Sequence, residues 1–231
     1  MHLPNSTSHQ SSQQLCSVTL LGNLVAKPDI RYKANPVLAI TEIVIATRSK
    51  WLDKTSNTYK EWTSYHHVKV EGDLVEKTLL HADKGDIILI QGYLNNRKSK
   101  GDKSSTSTVE QLSIIHATFI QKFAKGYTQS INQINCSAVL TSVPLLRLTE
   151  QNKYFAQANI LLKQLVYHIE KQSWNTIPVE RTIHLWGKQA QYLADNGRIN
   201  DEVIIEGKLS YATDNTKVQF IDTKKLYLFK I

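Results

Sequence analysis

Short runs of apolar and β-branched residues, separated by polar turns, predict a chain built almost wholly of β-strands. Residues 65–70 alternate between polar and apolar side chains, which indicates a strand with one buried face. Comparable strand-forming runs lie at residues 18–21, 39–46, 87–90 and 108–119. One segment differs, because apolar residues at helical spacing in residues 74–82 predict a short amphipathic helix. The resulting order of three strands, a helix and two strands is the plan of the OB-fold, a five-stranded Greek-key barrel.

The same order of elements occurs twice along the chain. Gly72 and Gly92, which follow the third and fourth strands of the first copy, are 20 residues apart. Gly187 and Gly207 repeat this spacing in the second half of the sequence. Residues 189–196 take the position of the helix between them. The regular spacing indicates two diverged copies of one domain.

We therefore predict an all-β protein of two tandem OB-folds, each with one short helix. The first occupies residues 15–125 and the second residues 126–231, with Cys16 and Cys136 at equivalent strand starts. Residues 1–14 are rich in Ser, Gln and His, a composition typical of a disordered tail.

Composition and motifs exclude several classes of protein. No stretch approaches the roughly 18 consecutive apolar residues of a membrane helix, and the polar N-terminus has no secretory signal. Two cysteines favour a reducing, cytoplasmic location over a disulfide framework. The sequence contains no HExxH, CxxC or GxSxG motif, so we expect neither an enzyme nor a metal or other cofactor.

The charge balance favours a polyanionic partner. Lys and Arg number 28 against 20 Asp and Glu, a net charge of +8, which suits nucleic acid or an anionic membrane surface. Trp51 and Trp62 lie among basic residues, in a polar segment with no apolar periodicity to bury them. Bases can stack on such rings while Lys50 and Lys54 neutralise phosphates, which predicts contact with a single-stranded nucleic acid. The alternative is that the two tryptophans cap a barrel end or pack between subunits.

The first unit resembles bacterial single-stranded-DNA-binding proteins. The resemblance covers about residues 16–123 and rests on several motifs that occur in the family's order. They lie at residues 20–24 (Leu-Leu-Gly-Asn-Leu), 27–32 (Lys-Pro-Asp-Ile-Arg-Tyr), 51–54 (Trp-Leu-Asp-Lys), 61–68 (Glu-Trp-Thr-Ser-Tyr-His-His-Val), 79–86 and 91–94. Residues 135–231 match only through the internal repeat.

The resemblance implies roles for individual residues. Trp51 aligns with a tryptophan on which bases stack, and Tyr65 takes the place of a second one. His66 aligns with a histidine that family members use at a subunit interface. The basic residues expected at the DNA backbone on this resemblance are Arg31, Lys54, Lys84, Arg97 and Lys98.

Three positions of the first unit depart from the family pattern. Glu71 stands where the family has a stacking phenylalanine, and Asp73 where it has a lysine. Ser99 stands where a tryptophan usually follows the Arg-Lys pair of the long loop. The first barrel is therefore expected to have lost part of its stacking platform and to have gained two carboxylates that repel phosphate.

The second unit supplies the missing pattern. Residues 183–188 (Ile-His-Leu-Trp-Gly-Lys) place Trp186 and Lys188 at the two positions that are acidic in the first unit. Trp174 lies in the loop that corresponds to the tryptophan-bearing hairpin of the first unit. We therefore predict that both barrels contribute to one DNA path. The alternative for Trp186 is a place in the core or between the barrels.

Together these features predict single-stranded DNA binding without marked sequence preference. The protein would protect or present the strand in replication, recombination, repair or DNA transfer. Because the family often needs four barrels per assembly, two barrels per chain predict a homodimer. Other replication or recombination proteins are expected partners. Family members usually end in an acidic tail, whereas residues 224–231 are basic, which favours a specialised protein of a mobile genetic element.

Two alternative functions remain compatible with the sequence. The first is a module resembling primosomal replication proteins, which would dock a helicase or recombinase and bind DNA weakly. The loss of aromatic residues at Glu71 and Ser99 favours it. The second is an RNA-binding OB protein, although the sequence shows no feature dedicated to the 2′-hydroxyl.

Overall fold

The computed structural model describes residues 15–53, 56–97, 112–126, 129–168, 172–213 and 218–230. The tail predicted for residues 1–14 lies outside the described residues, as do Lys54, Lys98 and Ser99. Among the described residues no helix is long and apolar enough to cross a lipid bilayer.

The first barrel consists of six strands and one helical turn. Its elements are β1 (Cys16–Leu24), β2 (Arg31–Lys33), β3 (Leu38–Asp53), β4 (Thr58–Glu71), β5 (Ile87–Arg97) and β6 (Leu112–Phe123), with the helical turn Val75–Leu79 before β5. Buried positions alternate with half-buried or exposed ones along much of β1, β3 and β4, which puts one face of each strand in the core. The sheet closes because β1 pairs with both β3 and β5, while β4 runs parallel to β6.

The second barrel repeats this order. Its elements are β7 (Ile131–Leu140), β8 (Leu145–Leu148), β9 (Tyr154–His168), β10 (Ser173–Trp186), α1 (Lys188–Asn196), β11 (Glu202–Tyr211) and β12 (Gln219–Phe229). It closes in the same way, since β7 pairs with β9 and β11, and β10 runs parallel to β12. This topology confirms the predicted all-β fold of two tandem OB-folds. The domain boundary between residues 125 and 126 lies between β6 and β7 and stays a prediction.

β1 and β5 are longer than the apolar runs that predict them in the sequence. The glycines inside these strands do not form turns, because they let the backbone of another strand pass close by. The sequence pattern ends the first strand at Gly22 and closes the fourth at Gly92, yet β1 and β5 continue through both. A Cβ at Gly22 would collide with the carbonyl oxygen of Ala46, and one at Gly92 with that of His116. These glycines are therefore sites of close backbone approach between strands.

The two helical segments differ in length. The first is a single π-helical turn, Val75–Leu79, and not the longer helix expected over residues 74–82. Directly after it, the Ala82 N–H donates to the Leu79 carbonyl oxygen at 3.1 Å, a tight i→i+3 bond that ends the helical path. In the second barrel, α1 is a regular helix of nine residues that agrees with the expected position.

The barrels are joined through their first strands. β1 and β7 pair antiparallel, from Cys16 opposite Cys136 to Leu21 opposite Ile131, so that one sheet runs through both barrels. Both thiols are free, and Cys136 is fully buried, as expected for cysteines that act as small apolar residues.

A buried arginine also ties the second barrel to the first. Arg181 of β10 donates to Asn96 Oδ1 at 2.7 Å and to the Asn95 carbonyl oxygen at 2.8 Å, both on β5. Its Nε donates to Gln219 Oε1 at 3.1 Å. Burial lowers the pKa of Arg181 to about 10, so the side chain is still charged near neutral pH. These bonds are therefore charge-assisted and stronger than neutral ones.

His66 lies at the same junction. Its side chain is fully buried, with Nδ1 3.1 Å from the hydroxyl of Tyr211 in the second barrel and Nε2 2.8 Å from Thr47 Oγ1. Gln219 Nε2 also donates to the Tyr211 oxygen at 3.0 Å, and in a neutral imidazole one ring nitrogen donates while the other accepts, so His66 can bond to Tyr211 and Thr47 at once. Within this chain His66 thus contacts the second barrel, and its expected role at a contact between two chains stays a prediction.

Burial of a neutral His66 should make the folded state sensitive to acid. Burial lowers the pKa of His66 to about 4, against about 6.5 in an unfolded chain. The unfolded state therefore binds more protons below about pH 6.5, and the free energy of unfolding should fall by up to about 3 kcal/mol as the pH decreases to about 4. Urea titrations should show a smaller loss in His66→Gln, which keeps a donor and an acceptor. An equal loss in both proteins would contradict this role.

Candidate nucleic-acid interface

The aromatic rings expected to stack on bases are all substantially exposed. The exposed fractions are 46% for Trp51, 52% for Trp62, 54% for Tyr65, 64% for Trp174 and 51% for Trp186. Trp side chains in a core are far more buried than this. Core packing within one chain therefore does not account for these rings, and each offers a face to a ligand.

Trp51 and Trp62 lie on strands and not in a loop. β3 and β4 form a long hairpin in which Trp51 is opposite Lys60 and Trp62 is opposite Ser49. The two indoles are therefore diagonal neighbours on one face of the hairpin. The structure thus brings these two predicted site residues together.

Tyr65 lies on the opposite face of the same hairpin. It is opposite Ala46, at a position where the side chains alternate away from the Trp62 face. Lys50 is on the Tyr65 side, with its ammonium 4.9 Å from the centroid of the Tyr59 ring and 4.0 Å from Glu61. The predicted residues of the first barrel are thus divided between two faces.

Several predicted cations of the first barrel form ion pairs. Arg31 donates to Asp29 Oδ2 through Nη2 at 2.6 Å and Nε at 3.0 Å, and Arg97 pairs with Glu42 at the end of β5. Lys84 is exposed in the turn before β5. Exposed ion pairs contribute only about 0–1 kcal/mol, so a phosphate can displace the carboxylate of such a pair at low cost.

The two acidic substitutions of the first barrel also have lysine partners. Lys69 Nζ lies 2.7 Å from Glu71 Oε1, and Lys77 Nζ lies 2.8 Å from Asp73 Oδ2. Partial burial works against ionisation of Glu71, but the hydrogen bond and charge of Lys69 hold its pKa below the ordinary value. The hydrogen bond from Lys77 lowers the pKa of Asp73. Both carboxylates are therefore ionised at neutral pH, but their repulsion of phosphate is partly offset.

Four aromatic side chains, which we call the aromatic row, form a continuous cluster on the outer face of the second barrel. Trp186 and His184 come from β10, Phe155 from β9 and Phe220 from β12. The ring centroids are 4.7 Å apart for Phe155 and Trp186, 5.0 Å for Phe155 and His184, and 4.0 Å for His184 and Phe220. The two contacts of Phe155 are within the usual range of favourable ring pairs and the stacked His184–Phe220 pair is closer still, so each ring restricts its neighbour.

Sequence reasoning identified only Trp186 of this row. His184, two residues earlier on the same strand, must share its face, and that period of two was a usable signal. Phe155 and Phe220 are distant in sequence and join the row only through strand pairing. The sequence around each of these two residues does not indicate that their side chains lie in one row.

The remaining predicted residues of the second barrel lie near the two ends of the β9–β10 hairpin. Trp174 is on β10, and not in a loop, and its ring centroid lies 5.3 Å from that of Tyr167 on β9. Lys188 is exposed at the start of α1 and lines, with Trp186 and Lys153, a groove of about 420 Å³. Trp186 and the two lysines therefore lie on one surface, at the end of the β9–β10 hairpin away from Trp174.

The chemistry available at these surfaces is stacking and charge neutralisation. Among the described ranges there is no group of three or more His, Cys, Asp or Glu side chains that could hold a metal ion. Exposed rings beside lysines and arginines match what a single strand presents, since it exposes base faces and phosphates together.

Comparison with known proteins agrees with the sequence resemblance. Residues 15–120 match the model of the single-strand binding protein family. The wild-type single-stranded DNA binding protein from Thermus aquaticus is similar in structure with a TM-score of 0.74 and 23% identity, covering 95% of each chain. A deletion mutant of that protein gives a TM-score of 0.74 and 24% identity over 94% of this chain and 95% of the other. The likeness therefore extends over both barrels.

Proposed function

We propose that this chain, which resembles the single-strand binding protein family in a tandem two-barrel form, binds single-stranded DNA without marked sequence preference. The observation that carries the proposal is the set of half-exposed aromatic rings on OB-fold strands, in both barrels, with basic side chains nearby. Rings stack on any base, because every base has a π face, and this makes binding tolerant of sequence. The protein acts as a binding protein and performs no reaction on the strand.

Both barrels contribute to the bound path in this proposal. The first offers Trp51 and Trp62 on one face of the β3–β4 hairpin. The second offers Trp186 with Lys188, and Trp174 at the other end of its hairpin. Arg31, Lys84 and Arg97 supply further charge for the phosphates of the strand.

A homodimer, with four barrels per assembly, is the proposed working form. The outer face of the continuous sheet supports this, because exposed apolar residues lie on it in both barrels. They are Phe119, Phe123, Ile131, Ile204, Tyr227 and Phe229. A broad apolar sheet face shared by two related halves suits a symmetric interface with a second copy.

The biological setting follows from the resemblance alone. We propose that the protein protects or presents single-stranded DNA in the cytoplasm during replication, recombination, repair or DNA transfer, including that of a mobile genetic element. Other replication or recombination proteins are its proposed protein partners.

A second candidate is a module that docks a helicase or recombinase and binds DNA weakly. The ion pairs of Glu71 with Lys69 and of Arg97 with Glu42 favour it, since they satisfy much of the first barrel's charge internally. An RNA ligand is the third candidate, and matched DNA and RNA oligomers distinguish it.

Fluorescence titration with oligo(dT) tests the proposal. Stacking should quench the exposed tryptophans, and the affinity should fall steeply between low and moderate salt because bound phosphates release counterions. A duplex of the same length should bind much more weakly. Equal affinity for duplex and single strand, or no quenching by either, would contradict single-strand binding.

A further inference from the structure

We propose that the groove beside the aromatic row is a binding site for a single unstacked nucleobase, present in the second barrel and not in the first. The inference rests on the proposed function and deepens it, because it assigns base contact to His184 and Phe220 and a positioning role to Phe155. Neither phenylalanine stands out in the sequence.

The groove has the size and chemistry that a base requires. It encloses about 540 Å³ between β9, β10, β12 and the end of β11, where Tyr211, Ala212, Thr213 and Val218 line it, and this is within the roughly 300–1,000 Å³ of small-ligand sites. His184 and Phe220 line the groove and stack on each other, with ring centroids 4.0 Å apart at an angle of 30°, so a base would extend the stack on an outer face of this pair. Gln157 and Thr182 line the same groove and carry the amide and hydroxyl groups that can hydrogen-bond the edge of a base.

The rings are held in place before any ligand arrives. Phe155 meets His184 edge-on at 78° and contacts Trp186 on its other side, so that the row is braced across two strands. Such bracing lowers the conformational entropy that binding would otherwise cost. Phe155, His184 and Phe220 are each partly buried, so each ring is packed against its neighbours and keeps some exposed surface.

The spacing along β10 suits an extended single strand. His184 and Trp186 are two residues apart on one face, which corresponds to about 6.6–6.8 Å. This is about twice the 3.4 Å separation of stacked bases in a duplex. Bases held at both rings are therefore too far apart to stack directly on each other, and the bases of a duplex, which are already stacked, have no free face to offer the rings.

The matching positions of the first barrel cannot form this site. Register places Glu71 opposite Ile40 where the second barrel has Trp186 opposite Phe155. Lys69 occupies the position of His184, and its ammonium is bound to the Glu71 carboxylate at 2.7 Å. An ion pair thus replaces two aromatic rings, and the base site is confined to the second barrel.

Phe220→Leu and Phe155→Leu test the proposal, because the first removes a π face that lines the groove and the second removes the ring that holds His184 in place, while both keep an apolar side chain. Each variant should bind oligo(dT) at least about fivefold more weakly than the unaltered protein. Tyr192→Leu, which replaces an exposed ring on α1, serves as the matched control and should bind normally. Thermal unfolding of each variant verifies that the fold is retained.

Photocross-linking with an oligo(dT) that carries 5-iodouracil gives a second readout. Cross-links should map to residues 155, 184, 186 or 220. Tight binding of oligo(dT) by both leucine variants, together with cross-links confined to the first barrel, would overturn the base site and leave the proposed function standing. If the unaltered protein binds no single-stranded DNA, both fall.

Discussion

Replacing both Trp51 and Trp186 by alanine should weaken oligo(dT) binding by about 2–6 kcal/mol, which is a loss of affinity of at least roughly 30-fold. Each ring is about half exposed and can contribute about 1–3 kcal/mol by stacking on a base. The two residues lie on different barrels and do not share a partner, so their effects should add. Calorimetric titration is the suitable measurement, because the substitutions remove tryptophans whose fluorescence would otherwise report binding.

If both barrels contact the strand, the losses of binding free energy in the two single variants should add in the double variant. If only one barrel contacts the strand, the double variant should bind no more weakly than the more damaged single variant. Trp51→Phe with Trp186→Phe is the matched control, because it retains both π faces and should recover much of the affinity. Unchanged affinity in both alanine variants would exclude a shared path.

Arg181→Ala should lower the free energy of unfolding by about 2–5 kcal/mol. The substitution leaves the Asn95 carbonyl oxygen, Asn96 Oδ1 and Gln219 Oε1 without their charged donor, and each buried acceptor that loses its partner costs about 1–3 kcal/mol. Because two of these acceptors are on β5 of the other barrel, the loss should fall on the junction between the barrels. Urea denaturation measures it as a lower midpoint.

Arg198→Ala is the matched control, since the Arg198 side chain is exposed and its hydrogen bond among the described residues goes from Nη1 to the neighbouring Gly197 carbonyl oxygen, while its backbone N–H, which the substitution keeps, donates to Asp201 Oδ2. Its effect should stay within about 0.5 kcal/mol. Arg181→Lys keeps the charge but has no planar fork, so it should recover only part of the loss. Equal urea midpoints for Arg181→Ala and Arg198→Ala would contradict a stabilising role of the Arg181 hydrogen bonds between the barrels.

The fold was accessible from the sequence chiefly because it occurs twice. Equal spacing from Gly72 to Gly92 and from Gly187 to Gly207 aligned the two halves, and both barrels have the expected order of elements. The true lengths of the strands were not accessible. Gly22 and Gly92 resemble strand ends in sequence, but their function is to let another strand's backbone pass close by, and only the three-dimensional crossing reveals this.

Residues of the candidate site could be predicted from the sequence where a single residue was conspicuous by itself. Trp51, Trp62, Trp174 and Trp186 are conspicuous as large rings in polar surroundings, and all four are exposed. Phe155 and Phe220 lie in ordinary apolar strands, where an aromatic residue normally indicates a core position. Their membership of the aromatic row depends on which strands pair, which is a long-range property of the fold.

The position of His66 shows the limit of reasoning from a resemblance. A histidine at an interface was expected, and His66 does lie at an interface. Within this chain the partner is Tyr211 of the second barrel, and the sequence of one barrel considered alone carries no information on that contact.

The most direct test of the central claim is stoichiometric binding of oligo(dT) of graded length, read together with the mass in solution. At about 4–16 nucleotides per barrel, affinity should rise until the strand is long enough for both barrels, at about 8–32 nucleotides per chain. The mass should be twice the 26.3 kDa of one chain, plus the bound strand. Affinity that is independent of length, or no tighter than for a duplex of equal length, would contradict single-strand binding along a path that both barrels share.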